Sequence, residues 1–521
     1  MKNSITAIEL SLFANRVEAI CDEMGAVLQR TAFSPNIKDR LDFSCAIFDH
    51  EGALCAQAAH IPVHMGSMAY AMRSIVQGFE WRAGDMIILN DPYLGGTHLP
   101  DVTVVAPVFV DACLVGFLAN RAHHADIGSD TPGSMPISSV LDEEGIIISP
   151  QRLVQDGVLD EDLLHWIGQQ TKNQTQTTGD FSAQISANRT GLAGLSTLVK
   201  GMGVKRYQQS LLELNNYAER LARSALQAIP DGQYEYMDVM DDDGMGNENI
   251  AIQVRINVCG EQIEVDFSGT ATQTAGNINC PISVAAAGVY YVFRCLMPSH
   301  TPNCDGSFKT ISIKAPEGTL LNARYPAAVA AGNVETSMRV VDVVMGALAN
   351  AIPDLIPAAS QGSMNNLAMG ALANEDNTIP AWDYYETIGG GMGAGAKHNG
   401  LSAVQSHMTN TRNTPIEVLE MAYPIRITRY EVRAHSGGEG LHHGGDGLIR
   451  EYEFLSPTIV TLLTERRRNQ PWGLAQGSPG CAGKNSFNGQ QYPSKRNWQA
   501  NKGDKLRLET PGGGGWGKKP N

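Results

Sequence analysis

Four glycine clusters crowd the last part of this chain: Gly389 to Gly395, Gly437-Gly438, Gly444-Gly445-Gly447 and Gly512 to Gly515. Their surrounding sequences differ and their spacing has no fixed period, so they do not spell a solenoid. Such clusters suit tight turns and places where two backbones meet with no side chain between them, which reads as a β-rich region. The chain that carries them has 521 residues. A single core stops growing at roughly 250–300 residues, so two or three packed units are expected. The units are read as an N-terminal region 1–230, ending near Pro230, a central α/β region 231–400 and a glycine-rich β region 401–521. The expected class is α+β, a mixed multi-domain architecture with antiparallel β-rich regions.

Periodicity places the main elements. Between Ile5 and Arg30 the residues Leu10, Phe13, Val17, Ile20, Met24 and Val27 recur at spacings of three and four. That is the stripe of an amphipathic helix, placed as a lid or edge helix. Asp49-His50-Glu51-Gly52 lies between short apolar runs and predicts a hairpin over Asp42 to Cys55. Met86 to Leu89, Val102 to Val110 and Leu114 to Asn120 read as strands, the first two separated by the polar Asn90-to-Asp101 loop. A long helix is expected around Tyr207 to Leu226, then strands from Gly232 to Gly269.

Composition excludes several classes of function. Hydrophobic residues make up 43% and charged residues 18%, a globular balance. The formal charge of −15, without a long basic run, argues against nucleic acid as partner. Glu9, Arg16 and Glu18 interrupt any secretory h-region, and the apolar stretch Val102 to Ala119 contains Pro107 and Asp111. A soluble, membrane-free protein is expected. Nine cysteines, an odd number without a C-x-x-C pair, suit reduced thiols in the cytoplasm.

Two polar clusters carry the chemistry. Asn90-Asp91-Pro92-Tyr93-Leu94-Gly95-Gly96-Thr97-His98-Leu99-Pro100-Asp101 sets ligand-type side chains in a loop stiffened by prolines and turned by glycines. Arg121-Ala122-His123-His124-Ala125-Asp126 ends the second strand that follows. If the two strands pair, both clusters share one rim. His98, Asp101 and one of His123 or His124 then form a mixed nitrogen and oxygen site that Asp42 could complete, suited to zinc, manganese or iron(II). The alternative is a hydrogen-bonded turn. Successive strand residues face opposite ways, so at most one of His123 and His124 faces a given site. Pro62 argues against one helix running through both His60 and His64, which are read as structural or as supports for ligands.

Further along, Asn333 is placed as a helix cap with Glu335 and Arg339 one turn apart, either as an exposed ion pair or as an anion-recognising pair. The preceding Pro326 to Val329 reads as a buried strand. His407 to Pro415 is dense in hydrogen-bonding side chains that could hold a polar ring or a carboxylate, or form a satisfied turn. Asp266 to Thr270 and Gln361 to Asn366 read as structural turns. No Gly-x-Ser-x-Gly elbow and no Gly-x4-Gly-Lys-Ser/Thr phosphate loop occurs.

Taken together, Ile37 to Ser44, His60 to Met68, the Asn90-to-Asp101 loop and His123 to Gly128 resemble the hydantoinase B/oxoprolinase family. Gly179 to Gln184, Asp266 to Gly269, Gly332 to Thr336, Met408 to Arg412 and Pro511 to Gly515 extend the resemblance over nearly the whole chain. It implies a B-type subunit paired with an A-type subunit that binds ATP and Mg2+ and phosphorylates the carbonyl oxygen of a cyclic amide: a hydantoin, 5-oxoproline or a lactam. It also implies a hetero-oligomer with a divalent transition metal (zinc, manganese or iron) on Asp42, His98, Asp101 and His123. Asp39, in the same short motif as Asp42, is the other candidate for the first ligand. The catalytic candidates are Asp101, His124, Asp126, Glu335 and Arg339, and the substrate-binding candidates are Asn410, Thr411 and Arg412. Two other roles compete: a subunit of an ATP-dependent ketone carboxylase, and a noncatalytic scaffold for the A-type subunit. An independently active metalloamidase is a minor fourth.

Overall fold

Asp49 sets the first turn, its Oδ1 accepting from the backbone N–H of Glu51 and Ala53. The computed structural model describes residues 5–58, 61–372 and 381–519. The hairpin that Asp49 closes joins β1 (Phe43–Phe48) to β2 (Leu54–Ala58). A second hairpin joins β4 (Asp101–Val110) to β5 (Cys113–His123) through Asp111 and Ala112, both left-handed at φ 49° and 61°, as a two-residue turn of that kind requires. With β3 (Met86–Leu89), β6 (Gln151–Gln155) and β7 (Val158–Leu159) these strands form an antiparallel sheet in the order β2-β1-β5-β4-β3-β6-β7.

Helices cover both faces of this sheet. The first, α1 (Ala7–Thr31), starts at a capping box in which Thr6 and Glu9 satisfy each other's backbone N–H groups. Its buried stripe, Phe13, Val17, Ile20, Met24 and Leu28, packs against α5 (Gln174–Met202), β1 and the edge strand β2. A short α2 (Pro35–Lys38) leads into β1, and α3 (Pro62–Gln77) covers the opposite face with Met68, Met72 and Ile75. Period-two alternation divides β4: Val104 and Ala106 face one core while Val105 faces the other. After α4 (Glu161–Gln169), the 29-residue α5 (Gln174–Met202) is fixed to β4 by polar side chains, Gln184 donating to the Val102 carbonyl and Asn188 to that of Val104. The expected long helix is α6 (Val204–Leu226).

The strands expected from Gly232 to Gly269 are β8 (Gly232–Asp242), β9 (Glu248–Cys259) and β10 (Gln262–Asp266), and with β11 (Ile311–Lys314) they form a second sheet in the order β11-β10-β9-β8. Two helices follow in this region, α7 (Ile282–Leu296) and α8 (Ser337–Ala349), and α8 packs on β8, β9 and α7. Every residue of α8 is buried, the charged Arg339 and Asp342 among them. Pro326 to Val329 forms no strand; Ala327 makes one isolated bridge to Val140.

Two more sheets follow with α9 (Ile416–Ala422), one of them drawing two strands from before residue 400. One runs β13-β12-β16-β19, from β12 (Asn366–Ala371), β13 (Trp382–Glu386), β16 (Thr458–Leu463) and β19 (Lys495–Ala500). The other runs β14-β15-β20-β17-β18, from β14 (Ile425–Arg433), β15 (Gly447–Phe454), β17 (Lys484–Phe487), β18 (Gln490–Tyr492) and β20 (Lys505–Glu509). The glycine clusters fold onto one another here. Gly513 donates to the Gly445 carbonyl, Gly445 to that of Met392, and Gly438 to that of Gly513. A Cβ on Gly445 would lie 1.9 Å from the Leu401 carbonyl oxygen, so these backbones meet only because no side chain stands between them. All nine cysteines are free thiols, and no helix among the described residues is long and apolar enough to cross a membrane.

Candidate metal centre

Register brings the two polar clusters together. Asp101, the first residue of β4, pairs directly with His123, the last of β5. The loop before Asp101 is stapled by Asn90, whose amide donates to the carbonyls of Leu99 and Ile146 and whose Oδ1 accepts from Ile148 N–H. Gly96 allows the loop to close, since a Cβ there would lie 2.3 Å from the Asn90 carbonyl oxygen. His98 therefore returns over Asp101.

His98, Asp101 and His123 are all buried, with ligand atoms within 4.8 Å of one another. His98 Nε2 and His123 Nδ1 each stand 3.3 Å from Asp101 Oδ1. Metal–ligand bonds of about 2.0–2.2 Å put neighbouring donors of a tetrahedral site about 3.3–3.6 Å apart, so these separations fit a divalent ion. Asp101 Oδ1 and His98 Nε2 are buried without a hydrogen-bond partner, and so are His123 Nε2, His64 Nδ1 and Asn333 Oδ1. Of these, Asp101 Oδ1 and His98 Nε2 face each other at 3.3 Å, and leaving both unpaired is costly unless a further group completes them. The adjoining cavity of about 20 Å3 has room for one water-sized or ion-sized occupant. The three residues form a cluster capable of coordinating a divalent cation.

The other oxygen of Asp101 is fully engaged. Its Oδ2 accepts from Thr97 Oγ1 at 2.7 Å and Asn333 Nδ2 at 3.2 Å, and lies 3.3 Å from His64 Nε2. Burial opposes its charge, but the His98 and His64 imidazoles outweigh that and hold the carboxyl well below the usual carboxylate range. Burial likewise opposes charge on His98, and Asp101 beside it raises the imidazole above its ordinary value. Burial lowers His123, which favours the neutral imidazole that binds metals. Tyr385 stacks on His123 at 4.8 Å between ring centroids, with the Arg40 guanidinium 5.0 Å from its ring.

The family is decided by a match over residues 6–519 to Hydantoinase B/oxoprolinase. This chain belongs to that family. It is 38% identical to 5-oxoprolinase 1 of Arabidopsis thaliana over 99% of its own length, but spans 42% of that protein. Its fold superposes on the ATP-dependent caprolactamase from Pseudomonas jessenii with a TM-score of 0.91 at 26% identity, covering 99% of this chain and 93% of that one. A nucleotide-free acetone carboxylase shares the fold, with a TM-score of 0.87 at 17% identity over 97% of this chain and 76% of that one.

In this hydantoinase B/oxoprolinase chain the remaining candidate residues scatter. Asp42 lines the small cavity and stands 3.8 Å from Arg40, whereas Asp39 is half-buried at the end of α2 and off the cavity wall. His124 faces away from His123, meeting Gln184 at 3.0 Å and stacking near Phe181. Asp126 ties the next turn through Gly128 N–H and Lys172 N–H. Glu335 and Arg339 do not form an exposed ion pair: both are fully buried and point to different partners. Glu335 accepts from Ser363, Met364 N–H and Asn366, while Arg339 meets Asp238 and Glu465. Asn333 is no cap, because its side chain goes to Asp101 and the turn that holds it is a π-helix, Gly332–Thr336. Thr411 lines the cavity with Thr409, while Asn410 and Arg412 are exposed. Ser363 and Asn366 give the Gln361-to-Asn366 stretch its task of holding Glu335. His64 sits on α3, which starts at Pro62 after the extended Ile61, and supports Asp101; His60 lies outside the described residues.

Sequence reasoning missed Tyr385, Thr97 and Thr387 on or beside this cavity. Thr97 was within reach, since it stands four residues before Asp101 in a loop already marked as ligand-bearing. Tyr385 comes from a strand, Trp382–Glu386, whose aromatic run reads only as core.

Proposed function

We propose that this chain is the metal-bearing B-type subunit of an ATP-dependent cyclic-amide hydrolase, working in a cytoplasmic hetero-oligomer with an A-type subunit. The observation that carries this reading is the convergence of His98, Asp101 and His123, their ligand atoms within 4.8 Å of one another, beside an ion-sized cavity that Asp101 and His123 line, in a hydantoinase B/oxoprolinase chain. The proposed substrate class follows the cyclic amides named in the relatives, 5-oxoproline and caprolactam. The chain has no phosphate loop, which suits an ATP site on the partner.

Amide resonance makes a lactam carbonyl a poor electrophile, and phosphorylation of its oxygen by the partner removes that protection. Water adds at the activated carbon, the C–N bond breaks with its electrons going to nitrogen, and a second water releases phosphate. His98, Asp101 and His123, with Asp42 as fourth donor, would hold a zinc, manganese or iron(II) ion, which would supply Lewis-acid polarisation when bound. Thr97 and Asn333 keep Asp101 oriented and ionised. Tyr385 holds the His123 ring in plane, and the Thr409 and Thr411 hydroxyls offer donors to substrate oxygens. The cavity is smaller than any lactam ring, so ring binding requires its walls to part.

The test is reconstitution with an A-type subunit, ATP and a panel of hydantoins, 5-oxoproline and lactams, beside elemental analysis. Ring opening is expected only with both partner and ATP, with near-stoichiometric metal. His98→Ala and His123→Ala should lose the metal and about 100-fold or more in activity. Activity of a metal-free wild type would overturn the metal reading. Bicarbonate incorporation into a ketone would move the chain to the carboxylase class, and full activity of His98→Ala would leave a scaffold.

A further inference from the structure

The segment that faces His98 and Asp101 from the central region is held by a carboxylate that no sequence motif had singled out. Glu144 is fully buried at the end of a short 3-10 turn, Leu141–Glu144. Its Oε1 accepts three hydrogen bonds: from Ser138 Oγ at 2.7 Å and from the backbone N–H groups of Val329 and Ala330, each at 2.9 Å. Those two N–H groups belong to the peptides that flank Val329 and fix how the chain runs into Ala330. The Ala330 carbonyl oxygen lies 3.3 Å from His98 Nδ1. An acceptor at Nδ1 requires the proton there, which leaves the lone pair on Nε2, the atom that stands next to Asp101.

Three residues on, the same segment delivers Asn333, whose amide donates to Asp101 Oδ2. Between them Gly332 is locked into a π-turn. Its N–H reaches the carbonyls of Asn277 and Val329, and a Cβ on it would lie 1.8 Å from the Asn279 carbonyl oxygen. Single π-turns of this kind cluster at functional sites because they re-aim side chains. One short segment therefore orients two of the three ligand-type residues: His98 through a backbone carbonyl and Asp101 through a side-chain amide.

We infer that Glu144 is a positioning residue of the metal centre: it fixes the Val329-to-Asn333 segment, which sets the His98 tautomer and the Asp101 orientation and so tunes metal affinity. The inference rests on the metal reading above. Outer partners of metal ligands typically contribute about 10–100-fold in affinity. Because all three hydrogen bonds go to Oε1, the carbonyl oxygen of a glutamine can accept the same three, so Glu144→Gln should retain what Glu144→Ala loses.

The experiment measures Zn2+ affinity of the full chain by competition with a chromophoric chelator, beside the thermal transition of the metal-free protein. Wild type, Glu144→Ala, Glu144→Gln, Asn333→Ala and the exposed neighbour Glu143→Gln are compared. Expected are about 10–100-fold weaker binding for Glu144→Ala and for Asn333→Ala, and binding within about threefold of wild type for Glu144→Gln and Glu143→Gln. An unchanged affinity in folded Glu144→Ala would show that Glu144 only pins the fold. Equal weakening in Glu144→Ala and Glu144→Gln would show that it acts by charge, and either result overturns the inference while leaving the metal centre standing. If Glu144→Ala does not fold, unchanged Zn2+ affinity in Asn333→Ala, or weakening in Glu144→Gln, overturns it. A wild-type chain that binds no Zn2+ removes the metal reading and this inference with it, a result distinct from the others.

Discussion

Glu335 shows how a residue can be conspicuous in sequence and still be misplaced by it. Its spacing from Arg339 suggests an ion pair on a helix face, but Glu335 in the π-turn and Arg339 in α8 are both fully buried and find separate partners in the core. Burial is the main reason that its carboxyl is pushed up to about 8 from an ordinary 4.5, with the neighbouring Glu465 adding to it. Between those two values the native state binds a proton that the unfolded state has released, so stability falls as pH rises from 4.5 through about 8. Glu335→Gln keeps an acceptor for Ser363, Met364 N–H and Asn366 and has no proton to lose. Its melting temperature should exceed that of the wild type more at about pH 9 than at about pH 5. Parallel melting curves against pH for the two proteins would refute a protonated Glu335. The same contrast explains what was legible at the metal centre. His98, Asp101 and His123 stood out because imidazole and carboxylate share a turn and a strand end. Asn333 and Glu144 act through hydrogen bonds to residues more than 180 positions away, which no local pattern reports.

At the scale of elements, period-two and helical patterns located β3, β4, β5, α1 and α6 because each buries one face against a layer that its own sequence implies. Helix α3 starts at Pro62, after the extended Ile61, so the proline bars a helix from His60 through His64 as read, but the helix beyond it went unread because a proline at the first turn, where its missing N–H costs nothing, also opens helices. The glycine clusters were read as backbone approaches, but which backbones meet was not readable, since glycine carries no side chain to mark its partner. The assembled contacts give a paired prediction. Gly445→Ala drives a Cβ to 1.9 Å from the Leu401 carbonyl oxygen and should destabilise by about 1–3 kcal/mol or more. Gly201, inside α5 with nothing within 4 Å of its virtual Cβ, should gain about 0.5–1 kcal/mol on change to alanine. Chemical denaturation of both variants measures this, and a harmless Gly445→Ala would mean that the glycine layer is looser than its hydrogen bonds imply.

The cavity is a property of the whole molecule. Its walls come from Asp42 and His64 near the start, Asn333 and Val334 in the middle, and Tyr385, Thr387, Thr409 and Thr411 towards the end. A ligand held there is held by segments that meet only in the folded chain, so its binding energy is folding energy. At a free Zn2+ concentration of about 100 times Kd, linkage adds about 2.7 kcal/mol. Unfolding entropies of roughly 2.1 cal/mol/K per residue, applied to 521 residues, convert that to a rise of about 2–3 °C in melting temperature. Calorimetry with and without Zn2+ should show that rise in the wild type and lose it in His98→Ala, whose core is otherwise kept. A rise of the same size in His98→Ala would place the ion elsewhere, because removing one of three buried donors must weaken a site built from all of them.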